Sequence, residues 1–300
     1  MKLNTIMIDG HSLTLDTFVD VARRGAPVEL TESAREAIRA SRELAEKIGR
    51  SKRVAYGITT GFGDFATVAV PEEMSNQLSN NLVLSHCTGT GEPYEIEEVR
   101  GMMLLRANAL CAGVSGVRLV LVEKLVELLN KGVTPVVPQK GSLGASGDLA
   151  PLSHMGLVLL GRGEAYYEGE VLPGAEALKR AGIEPLATLV SKEGLGITNG
   201  TCAMTSVGAL HLYDSIRAAR LADLIGASRQ SIHQYENHSI EPDIAVLSRM
   251  ADQFNTSIDF IVGRTEVRRP IEHKEAFRLN AEEAKEKQYI VCMMETLMEK

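Results

Sequence analysis

The chain has 300 residues, 44% hydrophobic and 24% charged, so it has the material for one large buried core or two smaller ones. Its net charge of −7 gives no basic field for nucleic acid, and the segment 220–300, with 11 Lys and Arg against 14 Asp and Glu, is no exception. No apolar run approaches the ~20 residues of a membrane helix, and Met1-Lys2-Leu3 opens no signal-peptide pattern. Cys87, Cys111, Cys202 and Cys292 lie too far apart for a zinc ribbon or a disulfide scaffold. The expectation is a cytoplasmic protein with reduced thiols, no metal and no membrane contact. With 27 Gly, seven Tyr, six Phe and no Trp, it reads as a small-residue, helix-rich enzyme.

In chain order, the apolar stretch Thr5-Ile6-Met7-Ile8 precedes a polar turn at Asp9-Gly10-His11-Ser12. Ser33-x-x-Glu36 reads as a capping box opening a helix that stops near Gly49. Next comes a glycine-rich run from Tyr56 to Gly63. Three glycines there cost ~1 kcal/mol each in a helix relative to alanine, so the run is expected to be a mobile loop. Residues 96–131 read as helix broken at Gly113-Val114-Ser115-Gly116. The second piece carries Val117, Val120, Leu121, Leu125, Leu128 and Leu129 at helical spacing and closes at Lys131-Gly132. Pro135 and Pro138 impose extended chain up to a second glycine-rich run, Gly141 to Gly147. A helix follows, with Asp148 as its expected N-cap, as far as Gly161. Ala165-Tyr166-Tyr167 and Val171-Leu172 flank Glu168-Gly169 as a small hairpin. From Thr201 the pattern is helical without a breaker until Gly226, and the tail Ile271–Lys300 is charged and helical.

The run Gly141-Ser-Leu-Gly-Ala-Ser-Gly-Asp-Leu-Ala-Pro-Leu-Ser-His154 resembles the signature of the histidine/phenylalanine ammonia-lyase family. The resemblance extends to the Tyr56–Gly63 loop, Asn81-Leu82-Val83-Leu84-Ser85-His86, Arg106-Ala107-Asn108-Ala109-Leu110 and Gly196-Ile197-Thr198-Asn199-Gly200-Thr201. Order and gaps agree from about residue 30 to about 222. The resemblance implies a 4-methylidene-imidazol-5-one electrophile formed autocatalytically from Ala145, Ser146 and Gly147, with no external cofactor. In that reaction the Gly147 nitrogen attacks the Ala145 carbonyl. A side chain would obstruct the approach and the backbone must bend sharply, which explains a glycine there.

The same resemblance implies further roles. Tyr56 would take the substrate β-proton, which needs the phenolate of a group whose free pKa is ~10. Asn199 would hydrogen-bond the electrophile's carbonyl oxygen; its ordinary structural reading is an N-cap for the helix that starts near Thr201, and the two roles are compatible. Ser85 and His86 fall where the family reads the substrate ring, and Ser-His is similar to the histidine-using members. L-histidine would go to urocanate and ammonia in a helix-bundle homotetramer. The exposed apolar surface of Val117–Leu129 and Thr201–Leu224 is expected to drive self-association. His154 is expected to pack near the loop and is given no role.

Past about residue 222 this resemblance is expected to stop, without the family's later helical half and its arginine for the substrate carboxylate. Leu221–Asn237 resembles a lambda-repressor-type (Xre) helix-turn-helix, continued by Glu241-Pro242, Leu247-x-x-Met250-Ala251 and Phe254–Ile261. That resemblance implies Arg229, Gln230, Ser231 and Gln234 as DNA-contacting residues over a core of Ile232, Tyr235, Leu247 and Ile258. Its usual first helix is lacking, so DNA binding is expected to be weak. The expected architecture is mainly α. An ammonia-lyase-like α+β region with long helices spans 1–222, a small all-α helix-turn-helix module 217–264, and a helical tail 265–300. A lyase is the leading expectation; a DNA-binding regulator and an inert hybrid of the two are the alternatives.

Overall fold

A computed structural model of the chain describes residues 3–51, 53–143, 147–237 and 239–264, apart from the side chains of Glu72, Arg229 and Glu236. The chain divides into two compact units, Met1–Tyr213 and Asp214–Lys300. The expected tail, 265–300, lies outside the described residues.

The first unit opens with β1 (Ile6–Ile8), crosses through α1 (Leu15–Ala22) and returns as β2 (Val28–Leu30), parallel to β1 with Ile6 opposite Val28. Then α2 (Glu32–Gly49) begins one residue after Thr31, whose hydroxyl accepts from the Ala34 N–H. Thr31, and not the expected Ser33, is the cap. Its amide still donates to the Ile8 carbonyl, so its backbone stays extended and the helix can start only beyond it.

Residues 53–70 carry a 3₁₀ turn at Gly63–Phe65. The loop is internally bonded: Gly61 N–H donates to the Val68 carbonyl and Val70 N–H to that of Thr59, each at 3.0 Å. α3 (Glu72–His86) and β3 (Thr90–Pro93) follow. α4 (Ile96–Cys111) is the central helix, burying Val99, Met102, Met103, Leu104, Ala107 and Leu110 around most of its girth. It packs on α1 and on α5 (Leu119–Lys131), which ends at Gly132 with φ 72°. Leu121, Val122, Leu125, Leu128 and Leu129 are buried within this unit. The expectation that this helix would leave an uncovered apolar surface is therefore corrected: α4 and β2 cover it.

After β4 (Thr134–Pro135), β5 (Pro138–Lys140) pairs antiparallel with β3, and α6 (Leu149–Leu159) follows the second glycine run. β6 (Glu164–Tyr167) and β7 (Glu170–Pro173) form the expected hairpin, turning through Glu168 and Gly169 at φ 51° and 82°. α7 (Gly174–Arg180) and α8 (Glu193–Thr198) lead to α9 (Cys202–Ile225).

In the second unit the end of α9 stops at Gly226, with φ 62°, before α10 (Arg229–Glu236), α11 (Ile244–Phe254) and α12 (Ile258–Ile261). Ser228, Asp243 and Ser257 cap these three helices through their side chains. Ala222, Ile225, Ile232, Val246, Met250 and Phe254 form the unit's core, with Tyr235 and Leu247 partly buried against it. Among the described residues Ile261, rather than the expected Ile258, joins that cluster.

Candidate functional site

The run 141–148 links β5 to α6 and is gripped at both ends. At its entry, β5 is held by β3, with Thr90 opposite Lys140. Gly141 has φ 135°, and a Cβ there would lie 2.9 Å from the Gly89 Cα, so glycine is required by both conformation and space. The Gly89 N–H donates to His154 Nε2 at 3.1 Å, which places that ring's proton on Nδ1. Burial holds the His154 pKa below the usual imidazole value and so preserves the accepting lone pair.

At the exit, Gly147 has φ 94°, and any Cβ would fall on the Gly200 carbonyl oxygen. The Asp148 N–H donates to that same oxygen at 2.6 Å. The Asp148 carboxylate Oδ2 accepts from the Ala203 and Met204 N–H groups at 2.8 and 3.0 Å. Its side chain does not cap α6, as the local sequence suggested; it caps α9, where unsatisfied N–H groups and the positive end of the helix dipole meet a carboxylate. That cap also displaces the alternative reading of Asn199 as the cap of this helix. Asn199 sits exposed at the end of α8, and its own carbonyl accepts from Arg106 Nη1 at 2.7 Å.

α8 is fixed at its other end by Glu193, which is fully buried. Glu193 Oε1 accepts from Arg118 N and Nε at 3.0 and 2.8 Å, and Oε2 from Arg118 Nη2 and Val190 N at 2.8 and 2.9 Å. This buried charge is paired and bonded on every side, as its burial demands.

α3, α6 and α8 pack on one another, with Val83 and Ile197 both beside Gly156. Ser85 and His86 close α3. His86 Nδ1 lies 2.9 Å from the Leu82 carbonyl, which can only accept, so Nδ1 carries a proton there and Nε2 is the ring nitrogen left for a substrate. Ser85 Oγ donates to the same carbonyl at 3.1 Å. Tyr56 is half exposed; its hydroxyl oxygen accepts from Gly63 N–H at 3.1 Å and its ring meets Phe62 edge-on at 6.1 Å. At Gly57, with φ 67°, a Cβ would stand 3.2 Å from Leu195 Cδ2, so the Tyr56 loop rests on α8 just before Asn199.

Ala145 and Ser146, the expected source of the electrophile, lie outside the described residues. In α10, Gln230 is exposed and Gln234 half-buried, while Ser231 bonds Ser228 within the helix cap; the Arg229 side chain lies outside the described residues. Among the described residues no group of His, Cys, Asp and Glu is arranged to hold a metal ion, and no helix is long and apolar enough to cross a membrane. Asp148, His154, Gly89, Gly200 and Arg106 are the site residues whose parts were not read from sequence. The available signal was Arg106, a charge set among Met102, Met103, Leu104 and Leu110.

The chain is similar to the histidine ammonia-lyase of Streptococcus gordonii, with 48% identity over 254 residues, or 85% of this chain and 49% of that protein. It thus spans about half the length of the curated relatives it matches. The crystal structure of histidine ammonia-lyase from Trypanosoma cruzi has 32% identity and a TM-score of 0.69, over 86% of this chain and 45% of the other. Tyrosine aminomutase from Streptomyces globisporus has 30% identity and a TM-score of 0.69, over 98% and 59%. The likeness does not stop near residue 222: the family match continues through α10 and α11 to residue 258. With residues 13–258 matching the family of aromatic amino acid lyases, and a fold shared with its solved members, the chain belongs to that family.

Proposed function

We propose that the protein is a histidine ammonia-lyase, a carbon–nitrogen lyase that converts L-histidine to urocanate and ammonia. The observation that carries this reading is the two-ended grip on 141–148, with Gly147 left-handed and pressed on the Gly200 carbonyl. Such a bend suits formation of 4-methylidene-imidazol-5-one from Ala145, Ser146 and Gly147. The Gly147 nitrogen bonds to the Ala145 carbonyl carbon. That carbonyl oxygen leaves as water with the Gly147 and Ser146 amide protons, and Ser146 then loses its hydroxyl and Cα hydrogen as a second water. The finished group supplies an electrophile that turns the substrate amine into a better leaving group.

The remaining roles belong to ordinary side chains. Tyr56 takes the β-proton, its ring set by Phe62 and its oxygen by the Gly63 N–H. His86, with Nδ1 committed to the Leu82 carbonyl, offers Nε2 to the imidazole N–H of a histidine substrate, beside Ser85. The Asn199 carboxamide, exposed beside the loop exit, donates to oxygen where negative charge develops. By resemblance, the arginine for the substrate carboxylate lies in the half of the family that this match does not cover, so turnover by these 300 residues alone is weak. Exposed Phe65, Val68, Met204 and Leu212 support self-association, as in a homotetrameric family.

Intact mass decides the first step. The purified chain is expected to weigh two waters less than its sequence, and Ser146→Ala, which has no hydroxyl to lose, to give up at most the one water of ring closure. An undehydrated wild type sinks the lyase reading.

A second reading rests on the spacing of α9, Gly226 and α10 over an apolar core of their own. By the resemblance, a helix-turn-helix across about 217–264 would use Arg229, Gln230, Ser231 and Gln234 on DNA. The family match over the same segment ranks it second. Gel-shift competition is expected to show weak binding that disappears at physiological salt; selection of one tight palindromic site would reverse the ranking.

A further inference from the structure

Arg106 is 6% exposed, deep on α4, and a guanidinium so placed ordinarily meets a carboxylate. Among the described residues none pairs with it. Nη1 donates to the Asn199 carbonyl at 2.7 Å, the Cys202 thiol is its other partner, and Nε has no acceptor. The next residue completes the contact: a Cβ at Gly200 would fall on Nη1, so the turn is shaped to admit the guanidinium. The Gly200 carbonyl in turn accepts from the Asp148 N–H at 2.6 Å, at the exit of the 141–148 run.

We infer that Arg106 is a positioning residue: it holds the Asn199–Gly200 turn, and through that turn both the Asn199 carboxamide and the exit of the electrophile loop. Its catalytic consequence rests on the lyase reading, whereas its mechanical consequence does not. An underpartnered buried cation is not what the core needs, because an apolar side chain of similar length would fill the space without giving up water. What an apolar side chain cannot do is fix the Asn199 carbonyl, and with it the carbonyl that Asp148 uses. Arg106 holds the Asn199 carbonyl and meets the Cys202 thiol, so its effect passes through the backbone at 199–200.

The test uses the full 300-residue chain, with Arg106→Met and Arg106→Lys, read by amide hydrogen exchange and by intact mass. In Arg106→Met the amides of Asp148, Ala203 and Met204 are expected to exchange about tenfold faster, while those of α5 keep their wild-type protection. Arg106→Lys, which can still donate to the Asn199 carbonyl, is expected to recover part of that protection. The fraction of molecules two waters light is expected to fall in the same order. Wild-type exchange at 148, 203 and 204 in folded Arg106→Met overturns the inference. So does acceleration spread evenly over α5, or failure of both variants to fold, since either makes Arg106 a core brace. A wild type that loses no water removes the lyase reading alone, because the exchange comparison still judges the positioning.

Discussion

Arg100 and Arg106 lie on successive stretches of α4, both buried, and the fold provides for them in opposite ways. Arg100 points where α1 and α5 end. Its Nη2 donates to the Val21 carbonyl at 2.9 Å, its Nε to that of Ala22 at 3.2 Å and its Nη1 to that of Leu129 at 3.1 Å. Helix C-termini leave carbonyls unpaired and carry partial negative charge, so one cation satisfies several orphan acceptors and two dipoles together. Arg106 looks to another face of the helix, toward a single turn carbonyl and a thiol, with one nitrogen left over. A buried arginine among helix ends is a brace. One with too few acceptors marks a place where the fold accepts a stability cost to hold a site in position.

Substitution by a side chain of similar length separates the two. Arg100→Met strands the carbonyls of Val21, Ala22 and Leu129 and is expected to cost about 3–5 kcal/mol, read as a lower midpoint in urea. Any molecules that still fold should lose their two waters normally. Arg106→Met is expected to cost only about 1–2 kcal/mol, because the removed charge had itself been poorly compensated. If its cost equals that of Arg100→Met, the distinction between brace and positioner fails. Tyr56→Phe removes an exposed hydroxyl bonded to one N–H and is expected to change stability by about 0.5 kcal/mol or less, yet to abolish urocanate formation. Retained activity in that variant excludes Tyr56 as the base.

The smallest effect is a slope with pH at the loop entry. His154 titrates below its unfolded value, so near neutral pH both folded and unfolded forms are neutral and the bond from Gly89 is fully present. As pH falls below about 6.5, the unfolded chain takes up the proton first and the stabilisation is progressively lost. His154→Phe is expected to flatten that part of the melting-temperature profile between neutral and mildly acidic pH. An identical slope in the variant would show that His154 is not the group that sets it.

Local features were legible in the sequence and distant ones were not. The broken helix at 113–116, the stop at Gly132, the hairpin at Glu168-Gly169 and the long helix ending at Gly226 follow from periodicity and breakers within a few residues. The Tyr56 loop was legible as irregular, but not as a segment bonded across itself from Thr59 to Val70. Thr31 displaced Ser33 as a cap because a strand bond from Ile8 sets its backbone. Asp148 was misassigned because its true partners, Ala203 and Met204, are 55 and 56 residues away, while local pattern offers only the helix next to it. Arg106 reaches 93 residues to Asn199, a distance over which composition and spacing carry no information.

The separation between Asp148 and the start of α9 also sets an order in time. At a synthesis rate of about 5–20 residues per second, the chain carrying Ala145-Ser146-Gly147 exists for several seconds before its restraining helix has been made. During that interval Gly147 has no Gly200 carbonyl to meet. On the lyase reading, chemistry that depends on the bend would start as a clock from the docking of α9, not from synthesis of the glycines. A nascent chain arrested before Ala203 should carry the full mass of its residues, and release past that point should let the loss of water begin as a first-order process independent of protein concentration.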